Sequence, residues 1–228
     1  MKQLALAMRL RAGAVFESFA PGQNQEVITA LRGPNSQPLW LWGAHGSGKT
    51  HLLQAVCSAT GDTAAYFPLG SSAALPPEAL AGFESARVLC IDDVDGIAGD
   101  QAWEEALFRL FNDAAELRTR LIFAAGVAPR QAAWCLEDWR SRAAACVVYQ
   151  LRELDDPGRV EALRLRAAQR GLELPQETSE YLLKRVPRDL PSLFEIFDEL
   201  DQASMVAQRR LTVPFIREAL EKHARTKS

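Results

Sequence analysis

The pattern that most constrains the fold is the eight-residue run GAHGSGKT at residues 43–50, which has the spacing G-x-x-x-x-G-K-T. Four apolar residues, Leu39–Trp42, come directly before it, and a segment with helical spacing, Thr50–Ala59, begins at its end. Glycines in such a loop let backbone N–H groups approach an anion closely, and the positive end of the following helix faces the same point. Strand, loop and helix together favour a phosphate-binding loop over a chance match in an ordinary turn.

Two side chains of this loop indicate a nucleotide as the ligand. Lys49 is spaced to reach the β- and γ-phosphates, and the Thr50 hydroxyl is spaced to ligate Mg²⁺. We therefore expect ADP or ATP with Mg²⁺ as the cofactor. The residues expected to contact the nucleotide here are Gly43, His45, Gly46, Ser47, Gly48, Lys49, Thr50 and the adjoining His51.

A second acidic motif lies downstream, where the apolar run Val88–Ile91 ends in Asp92 and Asp93. This pattern predicts a buried parallel strand that delivers carboxylates to the carboxyl edge of the sheet, where ligands of open α/β sheets bind. Asp92 is the candidate to hold the nucleotide and Mg²⁺, as a Walker B aspartate does. Asp93 is the candidate catalytic residue that orients the attacking water. Its side chain is one methylene shorter than the glutamate often found there, which favours slow hydrolysis.

The spacing of apolar residues divides the chain into two parts. Up to about residue 150, short apolar runs alternate with helical patterns, which is typical of a parallel sheet flanked by helices. Beyond Leu154 only helical patterns remain, at about 157–170, 176–185, 191–207 and 214–223. We predict an α/β domain at 13–154 and a small all-helical domain at 155–228. The predicted strands are Leu39–Trp42, Ala64–Phe67, Val88–Ile91, Leu121–Ala125 and Cys146–Gln150, and the helices between them are Thr50–Ala59, Pro77–Gly82, Gln101–Leu117 and Pro129–Trp139.

Composition excludes several classes of function. The formal net charge of −3 gives no basic surplus for nucleic acid or an anionic membrane. The sequence has no apolar run near the ~18 residues that a membrane helix needs. The four cysteines form no C-x-x-C pair, so we expect neither zinc nor disulfides but buried thiols in a reducing cytoplasm.

Three segments then carry a resemblance that covers almost the whole chain. Residues 16–24, the I-A-G-D-x-x-W-E stretch at 97–104 and the block at 203–215 resemble the DnaA/Hda family of AAA+ regulators of replication initiation. The resemblance implies an AAA+ P-loop NTPase followed by a helical lid domain. It also implies that Phe16 and Phe19 help to seat the adenine, and that the protein is cytoplasmic and associated with the nucleoid and replisome.

The resemblance further implies how such a protein acts. Residues 1–12 are similar to a peptide that binds the DNA polymerase sliding clamp (its beta subunit), with Gln3, Leu4, Leu6 and Met8 as the contacts. A clamp-bound, nucleotide-loaded member of the family stimulates hydrolysis of the ATP bound to the initiator DnaA. The family's catalytic arginine falls on Arg142, with Arg140 as the second candidate. Such a finger acts by neutralising charge on the transferred phosphoryl group.

Two positions depart from the family pattern. The polar residue that senses the γ-phosphate after the fourth strand is replaced by Gly126, and the arginine of the helical domain is replaced by Pro191. Arg188 lies one turn earlier and is the candidate to substitute for that arginine. We therefore expect the protein to bind nucleotide and to hydrolyse it weakly, with bound ADP as a conformational support.

Two other functions remain open from the sequence. One is an initiator or helicase-loader ATPase that acts on DNA; the other is a non-catalytic scaffold stabilised by nucleotide. The chain ends about one helix after Pro214, where DnaA carries a further DNA-binding module, so we expect no sequence-specific DNA binding. A homo-oligomer is a possible assembly.

Overall fold

All five predicted strands pair in a single parallel sheet. The structure is a computed structural model, which describes residues 13–34, 36–70 and 75–226. The strands lie in the order β2-β3-β4-β1-β5, so β1 pairs with β4 on one side and β5 on the other. The strands are β1 (Leu39–Trp42), β2 (Ala64–Pro68), β3 (Val88–Asp92), β4 (Arg120–Ala125) and β5 (Val147–Gln150).

Helices cover both faces of this sheet. They are α1 (Gln25–Arg32), α2 (Lys49–Thr60), α3 (Gln101–Leu117) and α4 (Glu137–Ala144). Alternate side chains of the central strands enter opposite cores: Trp40 and Phe123 belong to the cluster beneath α3 and α4. Leu41 and Ile122 belong to the cluster beneath α1 and α2. Burial of both faces is what a parallel sheet requires, which explains the unbroken apolar runs in the sequence.

The helix α3 begins and ends as its sequence predicts. The Asp100 side chain caps its start by accepting hydrogen bonds from the amides of Ala102 and Trp103, at 3.1 and 3.3 Å. At the other end Arg118 adopts a left-handed conformation and donates back to the last turn. This helix brings two side chains, Glu104 and Phe108, to the surface against which α4 packs.

The predicted helix Pro129–Trp139 is wrong. The helix in this region is α4, which begins at Glu137, and residues before it form turns. The indole of Trp134 donates to the carbonyl of Pro129 at 2.8 Å, which holds this segment in a closed turn. The amides of Cys135 and Leu136 donate to a side chain of α3, so they are not available to an earlier helix. The segment Pro77–Gly82 is likewise only a short 3₁₀ helix, Pro77–Leu80.

The remaining described residues form a second compact unit of four helices. Within the described residues, the α/β unit comprises 13–19 and 23–153, and the helical unit comprises 20–22 and 154–226. The core of the helical unit is built around Leu163, Leu182, Leu193, Phe197 and Phe215. Its helices are α5 (Asp156–Gln169), α6 (Gln176–Leu183), α7 (Leu190–Ala207) and α8 (Val213–Thr226).

Candidate functional site

The phosphate-loop residues lie where β1 passes into α2, and the loop is tightly enclosed. Gly48 has a φ of +98°, a conformation that favours glycine. A Cβ atom on Gly48 would lie 2.6 Å from a ring carbon of Phe19. A Cβ atom on Gly43 would lie 2.5 Å from the carbonyl oxygen of Leu151, just past β5. Glycine is therefore needed at both positions for packing as well as for the approach of an anion.

Polar groups inside the loop suit a phosphate ligand. The Lys49 side chain is buried, and its Nζ donates to the carbonyls of Gly43 and Ala44 at 2.8 and 3.0 Å. The Ser47 hydroxyl is buried and has no hydrogen-bond partner among the described residues. The first amides of α2 also have no acceptor within the helix, and they lie at its positive end. The cation, the orphaned hydroxyl and the helix start together fit the phosphates of a nucleotide.

Asp92 lies at the centre of the site. It is 1% exposed. Its carboxylate accepts hydrogen bonds from the Thr50 hydroxyl at 2.6 Å, the Tyr66 hydroxyl at 2.9 Å and the Asp93 amide at 3.0 Å. The structure thus brings Thr50 and Asp92, the two predicted Mg²⁺ ligands, into direct contact. Hydroxyl and carboxylate oxygens are the ligands that Mg²⁺ prefers, so Thr50 and Asp92 fit this metal.

Asp93 and Asp95 extend this acidic cluster. Asp93 has a left-handed backbone, with φ of 54° and ψ of 41°, and a Cβ atom on Gly70 would lie 2.7 Å from its carboxylate. Burial, followed by the charge of Asp92, raises the pKa of Asp93, while Lys49 opposes the shift.

Asp95 lies against Gly126, the residue that stands where the resemblance expects a γ-phosphate sensor. Its carboxylate accepts a hydrogen bond from the Gly126 amide at 2.9 Å. A Cβ atom on Gly126 would lie 2.9 Å from the same oxygen. An acidic side chain therefore lies against the backbone at which the sequence comparison expects a polar sensor.

The two phenylalanines predicted to seat the adenine have different surroundings. Phe16 is buried in the core beneath α1 and α2, with the Arg32 guanidinium 4.7 Å above its ring. Phe19 lies at the loop, with its ring 5.7 Å from that of His51. His51 Nε2 lies 2.9 Å from the Val15 carbonyl oxygen and so joins the segment before α1 to α2. His45 is exposed on the loop.

The two candidate arginines of α4 differ in their contacts. Arg140 donates to the Trp134 carbonyl at 2.8 Å and pairs with Glu137 at 2.9 Å. Arg142 is exposed, and no carboxylate pairs with it among the described residues. Its guanidinium lies 5.9 and 5.8 Å from the ring centres of Phe108 and Phe111. The guanidinium of Arg140 thus already binds two groups of its own segment, whereas no carboxylate among the described residues neutralises the guanidinium of Arg142.

The other predicted residues lie outside this constellation. In the helical unit, Arg188 is exposed and pairs with Asp156 at 3.4 Å. Pro191 lies in the first turn of α7, whose start is capped by the Asp189 side chain on the Ser192 amide at 2.9 Å. Proline fits this first turn because its missing N–H needs no partner there. The predicted clamp contacts Gln3, Leu4, Leu6 and Met8 lie outside the described residues.

Sequence reasoning missed three polar residues of this unit. Tyr66 contacts Asp92 from β2, and burial followed by the charge of Asp92 raises the pKa of Tyr66. A tyrosine in the middle of the otherwise apolar strand next to β3 was the available signal. Asp95 was visible as a third carboxylate within four residues. Glu104 was visible only as the last residue of the I-A-G-D-x-x-W-E stretch. A glutamate in an amphipathic helix is usually solvated, yet this one is fully buried.

Within the described residues, none of the helices has the combination of length and hydropathy that a membrane span requires. The same residues contain no group of three or more His, Cys, Asp or Glu side chains that could hold a metal ion. Of the four cysteines, Cys57, Cys90 and Cys146 are buried as expected. Cys135 is exposed, so the expectation of four buried thiols is wrong at this position.

Comparison with known proteins agrees with the resemblance drawn from the sequence. Residues 156–220 match the family model described as the lid domain of Hda. Domain III of the replication initiation protein DnaA from Thermotoga maritima is similar in fold, with a TM-score of 0.78 and 22% identity over 94% of this chain and 98% of that chain. Both findings confirm the predicted fold class, an AAA+ domain followed by a helical lid.

Further similar structures are those of AMPPCP-bound DnaA from Aquifex aeolicus and of the RuvB Holliday junction branch migration motor from Thermotoga maritima. The first has a TM-score of 0.63 and 24% identity, over 77% of this chain and 60% of that chain. The second has a TM-score of 0.61 and 18% identity, over 81% and 61%. At these identities the likeness establishes a shared fold.

Proposed function

We propose that this chain, which joins a DnaA-like AAA+ fold to an Hda lid domain, is a regulatory adaptor that inactivates the initiator DnaA. In this proposal it binds a nucleotide and the sliding clamp, and it stimulates hydrolysis of the ATP held by DnaA. Arg142 acts in trans as the arginine finger. The chain's own ATP hydrolysis is weak, because its role is to complete the site of another protein.

The single observation that carries this proposal is the exposed, unpaired guanidinium of Arg142 at the end of α4. An arginine finger must bring its charge to a phosphate without first breaking a salt bridge. Arg142 meets that condition, and aromatic rings hold its position without neutralising its charge. Arg140 does not meet it, since its guanidinium already binds a carbonyl and a carboxylate of its own segment.

The nucleotide site has a supporting role in the proposal. Lys49, Ser47 and the start of α2 hold the phosphates of ADP or ATP, and Thr50 with Asp92 holds Mg²⁺. Bound Mg²⁺ would neutralise phosphate charge and fix the position of the nucleotide. In this proposal Asp93 orients water, and Asp95, whose carboxylate accepts from the Gly126 amide, adds negative charge where a γ-phosphate sensor is expected. This arrangement favours retention of nucleotide over rapid turnover.

The clamp contact rests on the resemblance of residues 1–12. One amide, from Gln3, and the apolar side chains of Leu4, Leu6 and Met8 suit an extended peptide in a groove. Because a short peptide loses conformational entropy on binding, a modest affinity is expected. Attachment to the clamp would then place the activity on clamp-loaded DNA.

The test is hydrolysis of ATP pre-bound to DnaA in the presence of DNA-loaded clamp. The intact chain should stimulate hydrolysis, and Arg142→Ala should lose most of this stimulation. An arginine finger can increase the hydrolysis rate ~10³–10⁵-fold. Arg140→Ala, on the same helix, should retain most of it. Clamp binding and nucleotide binding of each variant are measured in parallel.

Two outcomes would contradict the proposal. If Arg140→Ala alone abolishes stimulation, the finger has been assigned to the wrong arginine. If the intact chain leaves the ATP of DnaA unchanged while it still binds the clamp, the activating role is refuted. The scaffold function then takes its place.

A further inference from the structure

A fully buried carboxylate joins the loop that follows β3 to α4, the helix that contains Arg142. Glu104, on α3, is 0% exposed. Its carboxylate accepts hydrogen bonds from the amides of Gly99 at 2.8 Å, Cys135 at 3.0 and 3.1 Å and Leu136 at 2.7 Å. No lysine or arginine pairs with it among the described residues. A buried charge is costly unless it is hydrogen-bonded, and here three backbone N–H groups supply the bonds.

These three amides belong to two separate segments of the site. Gly99 follows the 3₁₀ helix Val94–Ile97, which leads away from Asp92 and Asp93 at the end of β3. Leu136 is the N-cap residue of α4, and its side chain makes no capping hydrogen bond. Glu104 therefore caps α4 from a neighbouring helix, and its negative charge is favourable at the positive end of that helix.

Aromatic contacts hold the rest of α4. Trp139, in its first turn, is fully buried, with its ring 6.3 Å from that of Phe111 on α3. The Arg142 guanidinium lies over the rings of Phe108 and Phe111. The helix is eight residues long, so the carboxylate at its start and the rings at its end fix its position on α3. Because the helix is so short, we expect a change at its start to alter the position of Arg142 in its last turn.

We infer that Glu104 is a positioning residue for Arg142: its buried carboxylate ties the start of α4 to the loop that follows Asp92 and Asp93. This inference rests on the proposed function, because it assigns the residue that places the proposed finger. Glu104 touches neither the nucleotide-loop residues nor Arg142. It acts through the backbone of residues 99, 135 and 136.

The test compares Glu104→Gln with Glu105→Gln in the full chain, again with ATP-loaded DnaA and DNA-loaded clamp. Both oxygen atoms of Glu104 accept hydrogen bonds, but a glutamine side chain has only one oxygen. Its NH₂ group would face backbone N–H groups that also donate. Glu104→Gln should lower the maximal stimulated rate at least ~10-fold, with little change in the concentration needed for half-maximal stimulation. Glu105, on the same helix, is 43% exposed and lies 3.9 Å from Arg109, so its variant should match the parent.

A double mutant separates positioning from general damage. If Glu104 acts through Arg142, adding Glu104→Gln to Arg142→Ala should cause no further loss of the residual stimulation. An equal loss in both backgrounds overturns the inference. So does full stimulation by Glu104→Gln under conditions in which Arg142→Ala is inactive. Glu104→Asp keeps the charge with a shorter reach and should fall between the parent and Glu104→Gln.

A local readout needs no DnaA and therefore separates failure of this inference from failure of the proposed function. Hydrogen exchange of the amides of residues 135 and 136 should accelerate in Glu104→Gln and remain unchanged in Glu105→Gln. Local desolvation, then the hydrogen bond to Glu104 and the charge of Glu104, raises the pKa of the exposed Cys135 thiol. Glu104→Gln removes the charge and weakens the hydrogen bond, so alkylation of Cys135 should also become faster. Unchanged exchange and alkylation overturn the inference. If both accelerate although the intact chain does not stimulate DnaA, the proposed function fails and the positioning of α4 stands.

Discussion

Replacing Tyr66 by phenylalanine tests whether the hydroxyl on β2 stabilises the Asp92 carboxylate. The change deletes one oxygen atom and keeps the ring, so the packing of the strand is preserved. A hydrogen bond to a charged group contributes about 1.5–3 kcal/mol. Asp92 keeps two further donors, Thr50 at 2.6 Å and the Asp93 amide at 3.0 Å. We therefore expect a loss near the lower end, about 1.5–2 kcal/mol, or roughly 3–8 °C in Tm for a chain of this size.

The assay is thermal unfolding of the full chain followed by circular dichroism, with Tyr149→Phe as the matched control. Tyr149 lies on β5 in the same unit, and its hydroxyl has no hydrogen bond within the described part of the chain. This control should stay within about 0.5 kcal/mol of the parent. Equal melting temperatures for the two variants would show that the Tyr66 hydroxyl does not stabilise the buried carboxylate, and the reasoning would be refuted.

Two further substitutions probe the same site. Because burial and Asp92 raise the pKa of Asp93, the folded state binds this proton more tightly than the unfolded chain, and stability falls as pH rises through the folded pKa. Asp93→Asn should melt higher than the parent at pH 7 and equally below about pH 4; a lower Tm at pH 7 would contradict this sign. Gly43→Ala forces a Cβ atom toward the Leu151 carbonyl and should cost about 1–3 kcal/mol in urea unfolding. Gly96→Ala, with no atom within 4 Å of its Cβ, should cost less than about 0.5 kcal/mol, and equal losses would contradict the clash.

The regular elements could be predicted where local sequence and tertiary packing agree. The strands Leu39–Trp42 and Val88–Ile91 are apolar throughout, and a parallel sheet buried on both faces requires that pattern. The helix Gln101–Leu117 has both its apolar spacing and an aspartate before its first residue. The helix Gln25–Arg32 was not predicted, since it is short and has only three buried residues.

The site could be predicted only in part, for a different reason. The phosphate loop and Asp92 follow from local motifs, because their spacing along the chain fixes their geometry. The roles of Tyr66 and Glu104 depend on contacts with residues 26 and 31 to 32 positions away. Long-range partners of this kind leave no periodic pattern in one sequence. The choice between Arg140 and Arg142 likewise required the structure, because it depends on which guanidinium already has partners.

The strand order has a consequence for synthesis of the protein. Both hydrogen-bonding neighbours of β1 are made after it, since it pairs only with β4 and β5. The side-chain amide of Asn24 also closes on the backbone of Arg152, 128 residues later, at 2.9 and 2.8 Å. A nascent chain therefore exposes the unpaired, apolar Leu39–Trp42 strand until β4 has left the ribosome, and non-local pairing of this kind slows folding. Chaperone demand during translation should therefore be greatest before residue 150 emerges, although the nucleotide loop itself is among the first segments made.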